Sequence, residues 1–149
     1  MRIQKAIFIL FVSILCIFTA CSNQPDEPPE ASTTISGKKI NLSKGGYHWG
    51  EKGVFSNQMT IADAASPNQI AKELEATTVE QESVAKIVFS DNSKPQLTYQ
   101  YWEGEKPGKS LSIKGNKLTL PSKIGEYIIE VDATWPNGSA SYTLFVNVE

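Results

Sequence analysis

The sequence predicts a mainly β chain, folded as a β-sandwich with one short helix. Three observations lead there. From Val84 onward the apolar residues fall in short β-branched or alternating segments, punctuated by Asp91-Asn92-Ser93, Gly104, Gly115-Asn116 and Pro136-Asn137-Gly138. The last two segments are long, and each sends its apolar side chains to one face. One stretch, beginning at Ser66, carries a helix start.

The chain opens on the basic segment Met1-Arg2-Ile3-Gln4-Lys5 and continues as the apolar run Ala6–Phe18. Small residues follow. This order marks residues 1–20 as a secretion signal. Its apolar core of about 13 residues falls short of the roughly 20 that span a bilayer. The ending Phe18-Thr19-Ala20-Cys21 resembles the lipobox of bacterial lipoproteins, with Phe18 where that family usually has Leu. The resemblance implies cleavage between Ala20 and Cys21 and a thioether-linked diacylglycerol on Cys21. An ordinary signal peptide or an uncleaved single anchor are the alternatives. Two acyl chains make attachment effectively permanent, because each buried methylene contributes about 0.8 kcal/mol.

Residues 21–36 then read as the lipidated cysteine and a flexible tether. Pro25, Pro28 and Pro29 alternate with Asp26, Glu27 and Glu30, and Ala31-Ser32-Thr33-Thr34 follows. Such a stretch has too little apolar surface to offset its ordering entropy. Extended, it reaches up to about 45 Å. Residues 37–149, roughly 110 in all, are expected to form a single domain.

Within that domain, Lys39-Ile40-Asn41-Leu42 alternates like a half-buried strand, and Gly45–Gly50 is an aromatic strand fenced by glycines. Val54–Ile61 is less regular. Ser66-Pro67-Asn68-Gln69 combines a capping serine, a first-turn proline and a capping-box glutamine. Ile70, Ala71 and Leu74 supply the apolar face of a short helix. Val84–Phe89 is a strand ending at Asp91. Leu97, Tyr99 and Tyr101 alternate with Thr98, Gln100 and Trp102. Gly104–Gly108 is read as a turn, and Leu111–Ile113 and Leu118–Leu120 as brief strands.

The last hairpin is the clearest element. Tyr127, Ile129, Val131, Ala133 and Trp135 share one face, and Ala140, Tyr142, Leu144, Val146 and Val148 share the next. The Asn137-Gly138 pair suits the positive φ of a tight turn. A slip by one residue would expose the whole apolar set, so register should be firmly fixed. Gly125-Glu126-Tyr127 opens the penultimate strand and resembles the tyrosine corner of immunoglobulin-like domains. The sandwich is therefore expected to be immunoglobulin-like. Ile129 stands where antibody domains have a cysteine, so packing replaces the bridge.

A wider resemblance rests on Gly46 and Trp49, Ala62-Asp63 with Ser66-Pro67, the Trp102 strand, and Tyr127 through Trp135, Gly138, Tyr142 and Val148. Together they resemble an immunoglobulin-like extracellular module of Gram-positive, Bacillus-type small lipoproteins. The resemblance implies fold and location but no catalytic activity. It also implies that some members join the positions of His48 and Ile61 by a disulfide, which this chain lacks.

Composition narrows the function classes. The chain has 2 cysteines, Cys16 and Cys21. One lies in the signal and the other would carry lipid, so the domain must be held by its core. Removing residues 1–20 takes away Arg2 and Lys5 and no acid, leaving the mature chain two charges more negative than the whole chain's −2. No arginine then remains. Both facts argue against nucleic acid as a partner. The net charge also predicts no attraction to anionic headgroups, so the lipid alone is expected to hold the membrane.

No catalytic or metal site is predicted. The single histidine, His48, cannot build the usual multi-histidine site, and the chain contains no zinc-binding, redox or nucleophile-elbow motif. Gly104-Glu105-Lys106-Pro107-Gly108-Lys109-Ser110 is one residue short of a phosphate loop and precedes a strand. Asp63 and Asp91 lack the clustered oxygens of a calcium loop and are read as turn residues. No cofactor is expected beyond the acyl lipid on Cys21. His48 and Trp102 are the candidate contact residues, since each alternates away from its aromatic neighbours.

The expected function is that of a non-enzymatic lipoprotein module on the outer face of the cytoplasmic membrane. It would meet a protein or cell-wall partner through loops or an edge strand. The alternative is a small inhibitor or regulator of a secreted protease or wall hydrolase, presenting Asn92–Gln96 or Glu103–Gly108. One domain of this length lacks the two lobes of a solute-binding protein.

Overall fold

The computed structural model describes residues 27–52, 57–111 and 115–149, and among these described residues eleven strands and one helix build the fold. The expected signal, with Ala20 and Cys21, lies outside the described residues. The strands form two antiparallel sheets packed face to face. The smaller holds β1 (Ala31–Ile35), β2 (Lys38–Asn41), β6 (Val84–Phe89) and β9 (Lys117–Thr119), in the order β2-β1-β6-β9. The larger runs β4-β3-β11-β10-β7-β8, from β4 (Asn57–Ala62) and β3 (Ser43–Lys52) through β11 (Gly138–Val148) and β10 (Gly125–Trp135) to β7 (Gln96–Glu103) and β8 (Lys106–Leu111). A short β5 (Thr77–Val79) pairs in parallel with the end of β11.

This is the β-sandwich that the alternation predicts. The pair β6 and β9 faces the trio β7, β10 and β11, as the B and E strands face C, F and G in the immunoglobulin-like version that Gly125-Glu126-Tyr127 predicts. The hairpin faces agree with expectation: Ile129, Val131, Ala133, Tyr142, Leu144, Val146 and Val148 are all buried. Trp135 meets Trp49 and Phe89 edge to face, at 5.2 and 5.0 Å between ring centres. The tyrosine corner is present. The Tyr127 hydroxyl donates to the Lys123 carbonyl at 2.8 Å, four residues back, and Ile129 is fully buried.

Helix α1 (Pro67–Lys72) also forms as its sequence dictates. Ser66 accepts from the Gln69 N–H, and the Gln69 side chain returns to the Ser66 N–H, completing the capping box. Asp91 starts a turn, its carboxylate accepting from the Ser93 N–H at 2.9 Å.

Three expectations need correction. The tether does not extend to Ser36. Pro28 and Pro29 are buried, and Ala31, Thr33 and Ile35 enter the core from β1, which pairs with the interior strand β6. Ser36 and Gly37, at φ 48° and 81°, form the two-residue hairpin loop into β2. Backbone pairing stabilises a segment whose own side chains carry little apolar area. The Tyr142 hydroxyl donates to the Pro29 carbonyl at 2.6 Å, and Lys44 bridges Glu30 at 2.8 Å and Glu27 at 3.6 Å.

The second correction concerns the last hairpin turn. Trp135 pairs with Gly138, so Pro136 and Asn137 form the corner, and neither Asn137 nor Gly138 adopts a positive φ. Gly138 is required by close approach: a Cβ there would overlap the His48 carbonyl oxygen on β3. Third, the turn after β7 is shorter than expected. Only Gly104 and Glu105 turn, and Lys106–Gly108 already belongs to β8.

Candidate functional site

Helix α1 lies on the outward face of the larger sheet, against β10, β11 and β3. It buries Pro67 and Ala71, and beneath it Thr143 on β11 is almost inaccessible. The outward side chains of β7, β10 and β11 meet in register. Trp102 stands opposite Ile128, which stands opposite Phe145. Between this row and the helix runs a groove of about 440 Å³ whose walls include Leu74, Trp102, Ile128 and Phe145, with Lys72 and Glu126 among its polar groups.

Trp102 is fixed from below. Its indole N–H donates to Glu130 Oε2 at 2.8 Å, and the Gln100 amide donates to the same oxygen. The ring keeps its orientation and offers a half-buried apolar surface. Glu105, in the β7–β8 turn, accepts from Asn68 at 2.8 Å and from Lys72 at 3.1 Å, which links the turn to the helix. Both charged partners of that ion pair are largely exposed, so it contributes little. The docking of α1 rests on the burial of Pro67 and Ala71.

His48 shares the outward face with Trp102, but the two do not form one site. The His48 row reaches Thr134 on β10, whereas Trp102 is level with Ile128. That places them about 20 Å apart along the strands and about 14 Å across them. His48 is exposed, between Ser139 and Ile61. Ile61 and Met59, at 58 and 67 % exposed, make the neighbouring edge strand β4 apolar on that side. His48 and Ile61 are direct register partners, at the spacing of a cross-strand bridge.

Asp132 lies two residues beyond Glu130 on the same face, opposite Ser141 and Thr98. Burial, with a smaller contribution from the Glu130 charge, pushes its carboxyl up from 3.8 to about 6. The folded state therefore holds this proton more tightly than the unfolded chain does. The stability it contributes is complete below pH about 4, falls as pH rises toward about 6, and is gone above that. Allowing for partial exposure, this amounts to about 1–2 kcal/mol. Asp132→Asn should flatten that part of the stability–pH curve and raise stability at pH 7. Chemical denaturation at several pH values checks it, and an unchanged slope counts against the assignment.

Burial also pushes the Tyr99 phenol up to about 12, and it raises Tyr142 further, so both stay protonated in the core. Among the described residues, no group of three or more His, Cys, Asp or Glu is placed to hold a metal. Also among them, no helix is long and apolar enough to cross a membrane.

Sequence reasoning found Trp102 and the helix that faces it. It missed Glu130, Leu74 as a wall, and Phe145. Phe145 lies on the polar side of a strand whose other face is all core, which is the one signal that could have been read. Comparison with family models, curated proteins and solved structures finds no match to this chain.

Proposed function

We propose that this chain is a lipid-anchored, extracytoplasmic module that binds a protein or cell-wall component and performs no chemistry of its own. The observation that carries the location is the order of residues 1–21: a basic start, an apolar run, then Phe18-Thr19-Ala20-Cys21. The groove beside Trp102 supports the binding reading. It is apolar along one wall, has a fixed aromatic ring, and has polar groups from Asn68, Lys72 and Glu126. Contact there would use the rigid sheet and the helix rather than a mobile loop.

Labelled fatty acid and membrane fractionation test the anchor. Wild type should take up label and sediment with membranes. Cys21→Ala should take up none and lose its place there, with the fold intact. Unlabelled wild-type protein, or a mature N-terminus at a residue other than 21, would falsify the reading.

A further inference from the structure

Net charge describes the smaller sheet poorly, because its outward face carries lysines and no acid. On the smaller sheet, Thr34 of β1 pairs with Lys39 of β2 on one side and Lys86 of β6 on the other, and Lys86 pairs with Lys117 of β9. Three exposed lysines therefore lie in one row across the outward face. Above and below Lys86 on the same strand, Val84 and Val88 are 49 and 44 % exposed. No carboxylate occupies an outward position of these four strands. Among the described residues, none of the three lysines has an ion-pair partner.

Such a row is unfavourable in isolation. Like charges directly opposite each other, as at Lys86 and Lys117, destabilise a sheet. Lysines often protect sheet edges from pairing, but Lys86 lies on an interior strand with neighbours on both sides. An anionic surface held against the face would remove the repulsion. Screening at physiological salt limits exposed charges to about 8 Å, so such a surface meets the local patch and not the distant acids.

The anchor supplies that surface. Pro28 is buried in the fold and Glu27 pairs with Lys44, so only the chain from Cys21 to Glu27 separates lipid from domain. Fully extended it spans at most about 20 Å. It enters at the start of β1, and Ala31 is three residues, about 10 Å, from the lysine row. Glu27 and Glu30, at the entry, are paired with Lys44.

We propose that the outward face of the smaller sheet rests on the anionic headgroups of the membrane that holds the anchor. Lys39, Lys86 and Lys117 donate to lipid phosphates, while Val84 and Val88, on either side of the row along β6, meet the headgroup layer. The larger sheet then faces away from the bilayer and presents the Trp102 groove. This rests on the anchored reading above, and it revises the expectation that the lipid alone contacts the membrane.

The test is lysine footprinting of the full-length chain in vesicles. One set is phosphatidylcholine alone, and the other is phosphatidylcholine and phosphatidylglycerol in about equal parts. Lys39, Lys86 and Lys117 should react several-fold more slowly in the anionic vesicles, with Lys72 and Lys106 unchanged. About 1 M salt should erase the difference. In the Lys86→Gln/Lys117→Gln variant, protection of Lys39 should fall by about 5-fold or more. Equal reactivity of the three lysines in both vesicles overturns the proposal. The same spectra give the mass of the Cys21 peptide. A bare sulfur there defeats the anchor reading separately, while the lysine protection still decides the face.

Discussion

Trp135→Ala should cost about 3–5 kcal/mol and lower the denaturation midpoint without changing the slope. The side chain is 9 % exposed and closes one end of the sandwich. It packs edge to face on Trp49 from β3 of its own sheet and on Phe89 from β6 of the other, so one ring joins the two sheets. Its indole N–H donates to Ser93 Oγ at 2.8 Å, which satisfies the one polar atom it brings inside. Alanine would leave a cavity that the Trp49 and Phe89 rings cannot fill without leaving their rotamers. Trp135→Phe should recover much of the loss and leave Ser93 without its donor. Equal stability of wild type and Trp135→Ala, measured by urea unfolding, would mean that the hairpin faces are reversed.

Deletion of Pro28–Ile35, joining Ser36 directly to the preceding chain, should abolish the cooperative unfolding transition. The deletion removes Ala31, Thr33 and Ile35 from the core and leaves the interior edge of β6 unpaired. It also takes the acceptor from the buried Tyr142 hydroxyl and the partner Glu30 from Lys44. Single substitutions should divide by face. Ile35→Ala is expected to cost about 2–5 kcal/mol, and the exposed Thr34→Ala less than about 0.5 kcal/mol. A flexible spacer predicts the opposite, with normal melting after the deletion and no difference between the two substitutions. Thermal and urea melts of the three variants decide between them.

The strand β1 shows why its position was not legible. Ala31, Thr33 and Ile35 do alternate, but three prolines and three acids precede them, and only Ile35 is strongly apolar. Low local hydrophobicity argues for a tether when the segment is judged alone. Its stability comes from β6 and Tyr142, which lie more than fifty residues further along the chain. Gly138 carries the same lesson. An Asn-Gly pair suggests a turn that needs positive φ, whereas the glycine answers to the backbone of β3. By contrast, the capping box at Ser66 and Gln69 was readable in full, because both partners lie within one turn of helix.

The candidate groove was half legible. Trp102 stood out because it alternates away from Tyr99 and Tyr101, and Tyr99 is fully buried as that alternation requires. The partner that fixes Trp102 could not be named, because Glu130 becomes its neighbour only through the pairing of β7 with β10. The lysine row on the other sheet was hidden for the same reason. Lys39, Lys86 and Lys117 are far apart in sequence, and an acidic total masks them.

The sequence by itself determined the β-rich class, the faces of the final hairpin, the helix and its cap, and the tyrosine corner. These are short-range properties, set by side-chain alternation and hydrogen bonds within a few residues. Only the tertiary structure decided where the domain begins, why Gly138 is glycine, and which side chains share the Trp102 groove or the lysine face. Those features depend on register between strands distant in the chain, and register is fixed by the packed core as a whole.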